Sequence, residues 1–256
     1  MKRVAVIGCG KSVAGKEGWA IGHSHAQGYL DCGVPIELCG VDISDENLKA
    51  FGERFQVPKE RLFSSSSELY AAGVPDCVSV ATWPALHYPM VLEAIERGVR
   101  GIACEKPISL DVAELRDIEK RVAQSQTVMV VVHQRRLEPS FLKLREVALS
   151  GKLGTNLCAR GMVGDDWDIL SWTSHWFDMA NFFFDGMPQW VLAGMHVEST
   201  RRYQHAVEDA SVIYAHYGKE HSALFLTGPG SGASFSVEGE NGIARIGQGA
   251  IEIATF

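Results

Sequence analysis

One apolar run of the sequence, Gly101-Ile102-Ala103-Cys104, ends in an acid, a base and a proline, Glu105-Lys106-Pro107. Ligands of an open parallel sheet bind beyond the carboxyl ends of its strands, so a lysine in that position faces whatever the sheet holds. A lysine buried beside a carboxylate is also a group whose proton affinity proteins tune for transfer. A second polar set lies in the aromatic stretch Trp167 to Asp178. Ser171, His175 and Asp178 stand at i, i+4 and i+7, with Asp168 one turn earlier, so a helix there puts them on one face. Removing a hydride from a carbinol carbon requires a base within reach of the hydroxyl proton, and lysine and histidine are the usual ones. The same residues also fit plainer roles: a solvated charge pair ahead of a helix, a first-turn aspartate at Asp168, a surface Asp178, a core histidine at His175.

The elements that position them follow from hydrophobic patterning. Continuous apolar runs at Val4-Gly8, Ile36-Val41, Cys77-Thr82, Gly101-Cys104 and Val128-Val132 read as fully buried strands separated by helical patterns, the sign of parallel βαβ units. One helix is expected from a cap at Ser109, with Asp111 and Glu114 in its first turn and Val112, Leu115, Ile118 and Val122 packed on the sheet. After about Gln134 the pattern changes: a helix over Phe141-Leu149, a strand near Asn156-Val163, and one long aromatic helix from Trp167 to Phe184. Alternating runs then begin at Val191, Ser211 and Ala223 and predict antiparallel strands with one face buried. The expected fold class is α/β: a parallel-sheet domain over 1-134 and an α+β domain over 135-256 with a mainly antiparallel open sheet.

Gly8-Cys9-Gly10 closes the first strand, the place of a dinucleotide-binding turn, although a bare GxG is a weak signal. Asp42 ends the second strand and follows Gly22 by about 20 residues, the interval between a glycine fingerprint and its ribose-binding acid. That spacing places the first helix at Gly22-Leu30, with Lys11-Ile21 bulging before it. Ile43-Ser44-Asp45-Glu46 offers no arginine or lysine for a 2′-phosphate, which favours NAD over NADP. Gly10 to Lys16 nearly spells a P-loop, but Glu17 stands where a magnesium-binding hydroxyl belongs. His23 and His25 lack a third ligand, and no metal is expected.

With these residues together, the chain resembles the Gfo/Idh/MocA oxidoreductases, from about Val4 to Gly247, most specifically at Glu105-Lys106-Pro107. The resemblance implies a Rossmann-type first domain with Gly8, Gly10, Gly22, His25 and Asp42 on the cofactor. It makes Thr82, Trp83, Pro84 and His87 a lip of the nicotinamide pocket, and Glu105 a cofactor-side contact. It makes Lys106 a substrate-binding and proton-transfer residue, with Pro107 fixing the turn, and it supports His175 as catalytic. Members carry an aspartate four residues before that histidine; here it is Ser171, so either Asp168 replaces it, or Asp165 and Asp166 reach in, or His175 works alone, or the usual reaction is lost. Arg135, Arg136 and Pro139 fall in the interdomain segment, where Arg136 either binds substrate hydroxyls or joins the domains. Trp172 is a candidate to stack on a sugar ring. The family analogy implies oxidation or reduction of a sugar, cyclitol or related polyol, and a homodimer or homotetramer through the second sheet. The sequence ends at Phe256, soon after Val237-Gly242, where members usually continue. An NAD-dependent glycosidase and a non-catalytic NAD-binding regulator are the rival readings.

Composition sets the outer bounds. The 256 residues carry a net charge of -7, which argues against a nucleic-acid partner. The six cysteines include no CxxC pair and are expected as reduced thiols. With no signal-peptide pattern and no apolar stretch of membrane-spanning length, a cytoplasmic protein is expected and no membrane partner.

Overall fold

In the computed structural model, which describes residues 1–10, 21–200, 206–218, 220–228, 230–247 and 250–256, the first sheet has six parallel strands. They are β1 (Lys2–Ile7), β2 (Ile36–Val41), β3 (Leu62–Phe63), β4 (Cys77–Val80), β5 (Gly101–Glu105) and β6 (Val128–Val132), in the order β3-β2-β1-β4-β5-β6. Between them run α1 (Ile21–Asp31), α2 (Asp45–Phe55), α3 (Ser66–Ala71), α4 (His87–Glu96) and α5 (Val112–Ala123). Alternate residues of β1 serve opposite layers. Val4 and Val6 pack with Ala26, Leu48 and Phe51. Ala5 and Ile7 belong with Val91, Ala94 and Ile118. Burial on both faces explains why the strands read as unbroken apolar runs. The strand order reverses between β1 and β4, which makes their carboxyl ends the switch point where such sheets bind ligands.

Three local expectations are corrected in this unit, and one strand was missed. Strand β6 is not fully buried: among the described residues it pairs with β5 alone, and Val128 and Val130 are 69% and 58% exposed. Strand β3, only two residues long, was too short to leave a pattern. Helix α5 is capped by Asp111, whose Oδ1 accepts from the Ala113 and Glu114 amides at 2.6 and 3.3 Å. Ser109, the expected cap, instead donates to Glu114 Oε2 at 2.6 Å. Of its expected packing face, Ile118 is buried, whereas Val112 and Leu115 are exposed. Helix α1 starts at Ile21, as the glycine spacing requires; the expected bulge and the near P-loop fall on residues 11–20, outside the described residues.

Contacts separate this unit, Met1–Val132, from a second one, His133–Phe256. The second holds α6 (Pro139–Leu149), α7 (Ser174–Phe183) and a sheet of seven strands: β7 (Cys158–Val163), β8 (Trp190–His196), β9 (Ala210–Tyr217), β10 (His221–Thr227), β11 (Ala233–Gly239), β12 (Gly242–Gly247) and β13 (Ala250–Thr255). The order is β13-β12-β11-β7-β10-β9-β8, antiparallel throughout except for the parallel pair β7 and β10. Phe141 and Leu144 of α6 and Trp176, Met179 and Phe183 of α7 bury one face of the sheet against Ala159, Phe225, Phe235 and Val237. Strand β8 departs from the alternation expected of it: among the described residues it pairs with β9 alone, and it is exposed along its length.

The long aromatic helix is not continuous. Asp168 caps a π-helical turn, Ile169–Thr173, and α7 follows from Ser174. The Thr173 amide reaches back five residues to the Asp168 carbonyl at 3.5 Å, the signature of the wider turn. Ser171 and His175 therefore do not lie on successive turns of one regular helix, as the i, i+4 spacing assumed.

Candidate active site

The glycine turn after β1 is shaped for close approach. Gly8 has φ +96, and a Cβ there would stand 2.6 Å from the Ala81 carbonyl oxygen beyond β4. A Cβ on Gly22 would collide with the Gly8 carbonyl oxygen, so α1 closes on the turn only because that residue is glycine. The Gly10 amide donates to Asp42 Oδ2 at 3.1 Å, while Asp42 Oδ1 accepts from the Ser44 amide at 2.9 Å and from Asn47 Nδ2 at 3.1 Å. The ribose-binding candidate is thus fixed over the phosphate-binding candidate. A cradle that admits no side chain, at the switch point and with an oriented acid at the next strand, fits a dinucleotide.

Beyond β4 and β5 the structure assembles a second group. The Lys106-Pro107 peptide is cis. Glu105 is buried, its Oε1 on His25 Nε2 at 3.0 Å and its Oε2 accepting from the Lys106 amide at 3.2 Å. His25 Nδ1 meets Ser79 Oγ at 2.8 Å, and Ser79 Oγ also meets the Tyr29 hydroxyl at 2.9 Å. His87 is fully buried, with Nδ1 at 2.7 Å from the Pro107 carbonyl oxygen and Nε2 at 3.0 Å from that of Thr82. Trp83 is 55% exposed, whereas Thr82 and Pro84 are half-buried. Lys106, Glu105, Thr82 and the glycine turn therefore share the carboxyl edge of one sheet. His87, expected at the lip, is completely buried between the Pro107 and Thr82 carbonyls.

The second unit places its candidates on α7 and the segment before α6. His175 is buried, edge-on to Trp172 at 5.4 Å between ring centres and to His133 at 6.0 Å. Arg136 makes a two-pronged pair with Asp178, Nε to Oδ2 at 2.8 Å and Nη2 to Oδ1 at 2.7 Å, and this pairing holds its guanidinium pKa above the usual value. Arg136 is thus tied to α7 within this unit. Trp172 is covered on one side by the Arg135 guanidinium, 4.4 Å from its ring centre, and burial lowers the Arg135 pKa. Asp168, 1% exposed, accepts from the Ser171 amide at 2.9 Å, and Asp165 accepts from the Gly232 amide at 2.7 Å. Asp165 thus pins a loop. His133, Ser79 and Tyr29 were missed in the sequence. For His133 a signal existed, because it directly follows the Val128–Val132 run at the carboxyl end of a strand.

A Rossmann-type parallel unit with a glycine cradle and an oriented acid, followed by an α+β unit with an open sheet, defines a two-unit dinucleotide-binding protein. A sequence profile described as "Oxidoreductase family, NAD-binding Rossmann fold", that of the Gfo/Idh/MocA proteins, matches residues 2–133. The chain belongs to this family. It is 28% identical over 160 residues to an inositol 2-dehydrogenase/D-chiro-inositol 3-dehydrogenase of Shouchella clausii, covering 62% of this chain and 43% of that one. It is 27% identical over 126 residues to the mouse trans-1,2-dihydrobenzene-1,2-diol dehydrogenase, covering 49% and 37%. The fold matches the WlbA dehydrogenase of Bordetella pertussis, solved with NADH and UDP-GlcNAcA, at a TM-score of 0.79 and 21% identity, over 99% of this chain and 82% of that one. The matched segments thus span less than half of each of these two curated relatives.

Proposed function

We propose that this protein is an NAD-dependent oxidoreductase acting on a hydroxyl or carbonyl carbon of a cyclitol, sugar or related polyol. The observation that carries the reading is the placement of Lys106 on the same sheet edge as the glycine cradle, in a turn hydrogen-bonded on both sides. Support for the substrate class comes from relatives named as inositol and dihydrodiol dehydrogenases. NAD, when bound in the cradle of Gly8, Gly10, Gly22 and Asp42, supplies the hydride acceptor.

The chain's own residues supply the rest. Lys106 takes the hydroxyl proton in the oxidative direction and returns it in the reductive one. Glu105 holds the Lys106 backbone through its carboxylate. His175, in its aromatic surround, is the second proton-transfer candidate, and Asp168 supports it by capping the π-helical turn that leads into α7. Trp172 supplies an apolar surface for a sugar ring. We also place the protein in the cytoplasm, in keeping with six free thiols, and infer a homo-oligomer through the open sheet face carrying Met162, Trp190, Leu192 and Val212, each about half exposed or more.

Incubation of the protein with NAD and a panel of inositols, sugars and diols tests the reading, with reduced nicotinamide and cleaved products followed together. Reduced nicotinamide accumulating with one polyol supports it. Cleavage without net reduction would point to a glycosidase, and NAD binding with neither product to a regulator.

A further inference from the structure

The resemblance implies His25 and His87 beside the cofactor, and within the protein both rings have partners on each nitrogen. His25 has Ser79 on one ring nitrogen and Glu105 on the other, and its side chain is 9% exposed. With one proton on the ring, at Nε2 facing the Glu105 carboxylate, the chain is satisfied as Tyr29 donating to Ser79, Ser79 to His25 Nδ1, and His25 Nε2–H to Glu105. The other oxygen of that carboxylate accepts from the Lys106 amide. His87, with no exposed surface, lies between the carbonyl oxygens of Pro107 and Thr82.

We propose that His25 and His87 are positioning residues that clamp the Glu105-Lys106-Pro107 turn, one through the side chain before Lys106 and the other through the carbonyl after it. Each ring joins two different elements. His25 ties α1 to the end of β5. Both His87 contacts are to carbonyl oxygens, which only accept, so a ring with a proton on each nitrogen ties the turn after β5 to the turn after β4 that carries Thr82 and Trp83, whereas a neutral ring donates to one of the two. A lysine side chain has four rotatable carbons, so the register of its backbone decides where the ammonium group can reach. Fixing the peptide on both sides removes freedom that would otherwise be lost in the reactive complex. The clamp rests on the reading of Lys106 as the proton-transfer residue.

The test compares leucine and glutamine at each position, since glutamine keeps hydrogen-bonding groups and leucine has none. Three quantities are read: NAD affinity by calorimetry, turnover of myo-inositol, and the reactivity of Lys106 toward acetic anhydride by peptide mass spectrometry. For His25→Leu and His87→Leu the expectation is a fall of about tenfold or more in kcat, with NAD affinity and KM within about threefold of wild type and altered Lys106 labelling. His25→Gln and His87→Gln should recover part of the turnover and restore the labelling. If a leucine variant does not fold, Ser79→Ala breaks the His25 chain with a smaller change, and the glutamine variants carry the comparison for His87. Folded leucine variants with wild-type turnover and labelling would overturn the clamp. So would a loss of NAD affinity with labelling unchanged, because that marks direct cofactor contacts. The labelling needs no turnover, so it still decides the clamp if myo-inositol is not oxidised or if Lys106→Met keeps activity. Those two outcomes bear on the proposed reaction.

Discussion

Asp42 has one carboxylate oxygen on the Gly10 amide and the other on Ser44 and Asn47, so its charge is fixed beside the glycine turn. A 2′-phosphate brought to that carboxylate meets like charge, whereas a free ribose hydroxyl can donate to it. NAD should therefore bind about tenfold tighter than NADP, about 1.4 kcal/mol, and calorimetry with both nucleotides checks this. Equal affinities would remove Asp42 from its role. In the second unit the prediction turns on the difference between a proton-transfer group and a cap. His175→Asn should lower kcat/KM by about a hundredfold with little change in melting temperature. Asp168→Ala should lower it less and lower the melting temperature more, because losing an N-cap side chain costs about 1 kcal/mol of stability. Full activity in His175→Asn, with chemistry limiting the rate, would leave Lys106 as the sole candidate.

Elements were legible where patterning and burial agree. The ends of β2 and β6 and the extent of α6 follow from apolar runs bounded by breakers, and the interval from Gly22 to Asp42 located α1. What failed has local causes. Asp111 displaced Ser109 as the cap because its carboxylate reaches two amides at once. The π-helical turn was invisible because an inserted residue leaves no compositional mark, and it shifts Ser171 relative to His175. The contact between α1 and α2 yields a pH prediction. His23, buried edge-on between Phe51 and Phe55, has its pKa lowered by burial and then by Arg54. Below about pH 6.5 the unfolded chain takes up this proton more readily than the folded one, so stability is full above that pH and declines as pH falls through it. His23→Leu should flatten that part of the melting-temperature profile relative to wild type, and an unchanged slope would assign the decline to other groups.

For the whole molecule, the sequence conveyed two units and their sheet types but not how strongly the second sheet is left open. Along that face Trp190, Leu192, Met162 and Val212 are exposed on strands whose opposite side, β8 apart, is core. An apolar surface of that kind is a common mark of association. Val212→Asp combined with Leu192→Lys should convert the proposed homo-oligomer to a monomer in light scattering without changing NAD affinity. A wild-type protein that is monomeric at micromolar concentration would contradict it. The central claim is the role of Lys106, and one comparison tests it most directly: wild type against Lys106→Met, with NAD binding and reduction of NAD by the best substrate of the polyol panel measured on the same preparations. The account predicts equal NAD affinity and melting temperature, with kcat/KM reduced by about a hundredfold or more. Wild-type turnover in the variant, or loss of folding or of NAD binding in place of turnover, would contradict it.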